Sequence, residues 1–181
     1  MGHLRVRGAV TDFKASEEYQ RGHTGERIVA AFLQRRGWYV IPSYNFSGED
    51  GNIAPRLFGL RDSFIVPDLD IAKGGLRIWV EVKTKSAATF TRLTGRLEHG
   101  IDKRHCDQYL KIQIITGDPV YLAIVELDTK ALLLSSLTEL MPSARINIMH
   151  QRGQEKQMVY WPRSAFREYQ YAARPGTHFS A

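Results

Sequence analysis

Asp68, Glu81 and Lys83 are the residues of this sequence whose types and spacing best suit chemistry. Asp68 follows Pro67 within the run FIVPDLDIA, Glu81 and Lys83 flank Val82 within LRIWVEVKT, and Lys73-Gly74-Gly75 joins the two runs. Runs rich in β-branched and aromatic residues are expected to be strands, and the glycine pair marks a hairpin turn. A two-residue loop over Gly74 and Gly75 pairs Lys73 with Leu76 and sets Asp68 opposite Glu81; a three-residue loop sets Val80 there instead. In the first register Asp68, Glu81 and Lys83 share one face, because strand side chains alternate. Directly opposed Cβ atoms lie roughly 5 Å apart. Two carboxylates so close repel unless a cation sits between them, and oxygen ligands of this kind suit magnesium, or manganese. A neighbouring ammonium can orient a water or stabilise the charge that develops on a phosphate. Together these groups supply what metal-assisted phosphodiester hydrolysis requires. The bland alternative is an acid–lysine pair on a solvated sheet face. Glu-Val-Lys alone does not separate the two readings; Pro67-Asp68 on the preceding strand and the flanking apolar runs favour chemistry.

Other charged and polar residues are weighed against that trio. Asp70 projects on the face of Asp68 and is an alternative ligand, but it pairs with Trp79 and suits a solvated or hydrogen-bonding role equally. Lys85 continues the face of Lys83 and is expected to contact phosphate. Arg92, Arg96, Lys103 and Arg104 follow closely in sequence and are further candidate phosphate contacts, though an ordinary solvated face explains any one of them as well. His105 and Gln108 share a helical stripe with Ile101 and Ile112 that could touch the site, though a packed, hydrogen-bonded pair is the simpler account of them. His99 and His150 lack metal-ligand spacing. Neither a nucleotide-binding glycine loop nor a nucleophile motif is found.

The elements that must position these groups follow from periodicity. Residues 17–36 carry Ile28, Val29, Ala31, Phe32 and Leu33 at helical spacing, and Gly37 ends the pattern. Thr24 is a cap if the helix starts late, and Glu26 is a first-turn acid in that case. Residues 38–44 are expected to form a strand, 45–63 a long loop with room for a short helix, and 64–72 and 76–84 the two hairpin strands. Residues 86–100 are polar and basic. A second helix is expected over 102–116 and a strand buried on both faces over 119–127. Residues 132–141 are ambiguous, 158–161 suit a strand, and 163–173 suit a terminal helix. This order implies an α/β fold with helices on a mixed sheet.

Composition sets the frame. The chain of 181 residues is 43% hydrophobic and 24% charged, which suits one domain with a genuine core, expected over 1–181. The single cysteine, Cys106, makes neither an internal disulfide nor a multi-cysteine zinc site, so a reducing, cytoplasmic setting is expected. No apolar run approaches the ~18 residues of a membrane span, so no membrane partner is expected, and residues 1–13 do not resemble a secretion signal. The net charge of +6 favours a polyanionic partner, since each cation placed on a phosphate releases a counterion.

Pro67-Asp68 followed by Glu81-Val82-Lys83, with Gly25-Glu26 on the preceding helix, resembles the PD-(D/E)XK nuclease superfamily. Within it, the run 25–43 and the hairpin are most similar to archaeal-type Holliday junction resolvases and their restriction-like relatives. The resemblance spans roughly 17–127 and implies a restriction endonuclease-like core in the order α-β-β-β-α-β, with 128–181 as a C-terminal extension. It implies Asp68 and Glu81 as metal ligands, Lys83 as catalytic lysine and Glu26 as the helical acid. A DNA phosphodiester hydrolase using magnesium is therefore expected, with a homodimer as one possible assembly. The 45–63 loop and the extension depart from the pattern and leave the substrate open. Two other functions compete: a catalytically silent nucleic-acid-binding or assembly module of the same fold, and a hydrolase of another phosphate ester.

Overall fold

The computed structural model describes residues 17–42, 55–151 and 154–171. The first helix, α1 (Glu17–Gln34), turns Val29, Phe32 and Leu33 into the core. Gly37, at φ +81°, lets the chain reverse, and the Trp38 N–H reaches back to the Leu33 carbonyl. The helix starts well before Thr24, whose hydroxyl donates to the Gln20 carbonyl and so caps nothing.

Strand β1 (Tyr39–Pro42) follows; Ser43 and Tyr44, and residues 45–54 of the expected loop, lie outside the described residues. The rest of that loop is ordered as a small hairpin of β2 (Arg56–Phe58) and β3 (Ser63–Ile65). The strand expected over 64–72 is interrupted at Val66-Pro67-Asp68. Its first part is β3, and its second, β4 (Leu69–Lys73), belongs to a different sheet. Proline accounts for the break, since it supplies no N–H to a ladder. Beyond it lie β5 (Leu76–Lys85), β6 (Thr89–Thr91) and β7 (Arg96–Asp102), so two further strands occupy the polar, basic segment. Helix α2 (Lys103–Thr116) is capped by Asp102, which accepts from the Arg104 N–H, and closes on Gly117 in the left-handed region.

The strand expected over 119–127 is β8 (Val120–Glu126), buried along nearly its whole length. The ambiguous 132–141 segment divides into β9 (Ala131–Ser136) and a single helical turn, α3 (Leu137–Leu140), closed by a Ser136–Glu139 capping box. Then come β10 (Arg145–Gln151) and β11 (Gln154–Pro162). The terminal helix expected over 163–173 does not form within the described residues. A 3-10 turn at Arg163–Ala165 leads into β12 (Arg167–Gln170), which pairs with β9. The physical reason is tertiary: β9 has a backbone edge to satisfy, and pairing overrides local helix propensity.

A six-stranded sheet in the order β1-β4-β5-β8-β9-β12 is the centre of the molecule, parallel only where β5 meets β8. The second sheet runs β10-β11-β7-β6. Along β5, Val80 and Val82 face α1 in a core with Val29, Leu69, Ile71 and Val125. Trp79 faces the other core, built with Tyr109 and Ile112 of α2 and Trp161 of β11. The expected order α-β-β-β-α-β survives as α1, β1, β4, β5, α2 and β8, with two small hairpin insertions. Among the described residues, no helix is long and apolar enough to cross a membrane.

Candidate active site

Gly74 and Gly75 both take positive φ, as a two-residue type I′ turn demands, and Lys73 pairs with Leu76. The ladder runs as far as Leu69 opposite Val80, one residue short of Asp68. Asp68 lies at the bend just before β4, where its Oδ2 accepts the Val82 N–H at 2.8 Å. That bond ties Asp68 to the strand carrying Glu81 and Lys83.

Glu81 is only 2% exposed. Its Oε1 forms an ion pair with Lys83 Nζ, whereas Oε2 is buried with no hydrogen-bond partner among the described residues. Burial raises the Asp68 carboxyl well above the usual aspartate range, and the Glu81 charge pushes it further; Lys83 and the Val82 N–H offset part of this. Burial alone would lower Lys83, but the charges of Glu81 and Asp68 outweigh it and hold the ammonium above its ordinary value. Glu26, on α1, adds negative charge at both Asp68 and Lys83, and its own carboxylate lies 3.3 Å from His23 Nδ1. Gly25 makes this approach possible, because a Cβ there would collide with Thr84 Oγ1 of β5.

Helix α2 closes the site from the other side. Burial raises the Tyr109 phenol, and the nearby Glu81 carboxylate raises it again, so its hydroxyl remains a proton donor beside that acid. Burial lowers His105, as does the Lys83 charge, while Glu81 and Asp102 oppose them. Gln108 does not pair with His105: its Oε1 accepts the Ile65 N–H at 3.3 Å, anchoring the segment that leads into Asp68. Tyr109 was legible only as one more apolar helix position, four residues after His105.

The structure therefore brings Asp68, Glu81 and Lys83 together, with Glu26 near enough to act on Asp68 and Lys83 by its charge but not grouped with the two carboxylates as a third ligand. It separates Asp70, which is held by Arg77 through two hydrogen bonds of 3.0 and 2.8 Å. Among the described residues no three His, Cys, Asp or Glu side chains are grouped to hold a metal ion. Two carboxylates do not suit tetrahedral zinc, but they fit magnesium, which retains waters and takes its remaining ligands from a phosphate. The unpartnered Glu81 oxygen is the feature such an ion would satisfy.

The expected phosphate contacts divide. Lys85 lies on the face of Lys83, and its pKa is lowered by burial and then by Lys83, Arg21 and Lys156. Arg21 and Lys156 belong to this cationic group and carry no sequence signal, since α1 and β11 bring them in from distant positions. Lys103 pairs with Asp107 at 2.6 Å and Arg104 with Asp102 at 3.0 Å, both beside the groove between α2 and β11. Arg92 and Arg96 are exposed in and next to the β6–β7 turn, and neither is among the charges acting most strongly on Asp68 or Lys83.

No protein-family profile matches the chain, and no curated sequence relative matches it. Solved structures do. The Holliday junction resolvase Hjc of the hyperthermophilic archaeon Archaeoglobus fulgidus superposes with a TM-score of 0.50 at 16% identity, covering 80% of this chain and 91% of that one. D212, a nuclease from a fusellovirus, is also similar, with a TM-score of 0.44 at 10% identity, covering 82% and 83%. The Hjc superposition, together with the α1-β1-β4-β5-α2-β8 order around the hairpin, shows that the chain has the restriction endonuclease-like fold of the PD-(D/E)XK nucleases.

Proposed function

We propose that this protein is a magnesium-dependent deoxyribonuclease acting at the Asp68–Glu81–Lys83 site. The observation that carries the proposal is the buried Glu81 carboxylate close enough to Asp68 to act on it by its charge, with one oxygen on Lys83 and the other without a hydrogen-bond partner among the described residues. A binding-only module gains nothing from such a pair, because like charges forced together cost stability. Asp68 and Glu81 are the residues to hold the ion, which when bound neutralises phosphate charge and activates water.

The protein's own groups do the rest. Lys83 is held in its charged form, so it acts as a cation and not as a proton acceptor, stabilising charge on the phosphate as the bond breaks. The Val82 N–H fixes the orientation of Asp68. The Tyr109 phenol, kept protonated, stands beside the Glu81 carboxylate. Lys85, with Arg21 and Lys156, supplies positive charge where the polyanion would lie.

Incubation of the protein with linear, circular and branched DNA, with magnesium or with chelator, tests this reading. Cleavage of at least one substrate in magnesium and none in chelator is the expected result. DNA binding without cleavage under any divalent ion would point instead to a silent module.

A further inference from the structure

The four-stranded sheet has two unlike faces. Ile101, Val159 and Trp161 enter the core with α2, and the opposite face carries Gly100, Met158 and Tyr160. There, the end of β5 and the strands β7, β10 and β11 border a groove of about 220 Å³ whose lining includes Lys85, Gly100, Met149, Lys156, Met158 and Tyr160.

The floor of this groove is flat. A Cβ on Gly100 would come within 2.6 Å of Tyr160 Cδ1 and Cε1, so the ring lies down on the bare backbone of β7. The Tyr160 hydroxyl is 2.9 Å from Met149 Sδ, which aligns the ring with a methionine that is 41% exposed. Arg145 lies over the Tyr160 ring, 5.1 Å from its centroid, and is paired at 2.6 Å with Glu98, which also lines the groove. The rim is cationic. Among the described residues Lys85 has no carboxylate partner, and Lys156 must share Asp102 with Arg104, at 3.3 and 3.0 Å. Lys85 sits two residues beyond Lys83 on the same strand face, about 7 Å along. The groove is thus the continuation of the candidate active site.

We infer that this groove holds one unpaired nucleotide of a DNA strand next to the site of cleavage, with its phosphate against Lys85 and Lys156 and its base against Tyr160, Met149 and Met158. A flat aromatic next to lysines is the combination that binds single strands without sequence preference. A base inside a duplex has both faces covered by its neighbours, so only an unstacked base can lie on the tyrosine. The groove is also smaller than the roughly 300–1,000 Å³ of pockets that take drug-sized ligands, which suits one base. Interaction of neighbouring cations with Lys85 supports the phosphate assignment, since an anion relieves it. The position relative to cleavage rests on the nuclease reading; the binding does not.

The test measures affinity by fluorescence anisotropy in chelator, for a blunt DNA duplex and for the same duplex with a short single-stranded tail. The full-length protein should bind the tailed duplex more tightly. Tyr160→Ala should lose about fivefold or more of that affinity, the scale of one base–aromatic stack, and leave blunt-duplex affinity unchanged. Tyr160→Phe should retain the preference, and Lys85→Gln with Lys156→Gln should weaken it. A tail carrying 5-iodouracil provides a readout in the unaltered protein: its photocrosslink should map to β10 or β11. Equal affinity for both duplexes, or a crosslink confined to other elements, would overturn the inference. Tail preference without cleavage in magnesium would remove the nuclease reading and keep the groove; cleavage without tail preference would do the reverse.

Discussion

Glu81 is buried in a core with Lys83 on one oxygen and the Tyr109 phenol nearby, while its second oxygen makes no hydrogen bond among the described residues. Replacing single groups here separates chemistry from folding. Asp68→Asn retains an acceptor for the Val82 N–H, and Glu81→Gln retains the shape of Glu81, so both should stay folded and lose DNA cleavage. Lys83→Met should lose cleavage by about 100-fold or more, the scale for removing one group that stabilises developing charge. Circular dichroism alongside cleavage rates checks this set. Wild-type turnover in Asp68→Asn or Glu81→Gln would show that the carboxylates do not hold the ion.

At the scale of elements, α1 reaches the hairpin only because residue 25 has no side chain. A Cβ there meets Thr84 Oγ1, an oxygen that is itself buried without a partner among the described residues. Gly25→Ala should therefore cost about 1–3 kcal/mol by overpacking, read as a lower urea midpoint at unchanged slope. Thr84→Ala removes the obstructing oxygen, so the double variant should recover most of that loss; a double variant as unstable as Gly25→Ala would place the strain elsewhere. Elements such as these explain what was legible in the sequence. The hairpin was readable because two glycines and two apolar runs fix the register locally, and the trio followed from it. Helix α2 and strand β8 were readable from periodicity and continuous apolarity. What could not be read was non-local. Arg167 to Gln170 became a strand because β9 lay beside it, Pro67 sent one apolar run into two sheets, and Lys156 reached Lys85 through a sheet the sequence did not announce.

At the scale of the whole molecule, one buried cluster joins the C-terminal segment to the central sheet. Glu126 accepts from Arg163 at 2.9–3.2 Å and from Thr129 at 2.6 Å, and its Oε1 lies 2.7 Å from His99 Nε2. Burial alone would raise the Glu126 carboxyl, but the hydrogen bonds from Arg163, Thr129 and His99 hold it down at about 2. Burial lowers His99, against the opposing pull of Glu126. Both folded-state values lie below the unfolded ones, so both groups contribute stability that is present above their unfolded pKa and lost on acidification. For His99 the loss begins as pH falls through about 6.5. For Glu126 it spans the interval from the unfolded value near 4.5 down to about 2. The melting temperature should thus fall in two stages as pH decreases, and His99→Gln should shrink the upper one, to which the lowered His105 also contributes. A profile of His99→Gln identical to that of the wild type would show that His99 does not couple folding to pH.

On the proposed reading, folding of the chain builds a site for a divalent ion between Asp68 and Glu81. An ion that binds only the folded state stabilises it by mass action. A calorimetric titration of magnesium and manganese into the wild-type protein and into Glu81→Gln is the most direct measurement. A saturable site in the wild type with a matching rise in melting temperature is expected, and a much weakened site with a smaller rise in Glu81→Gln. Equal binding and equal thermal shifts in the two proteins would contradict it.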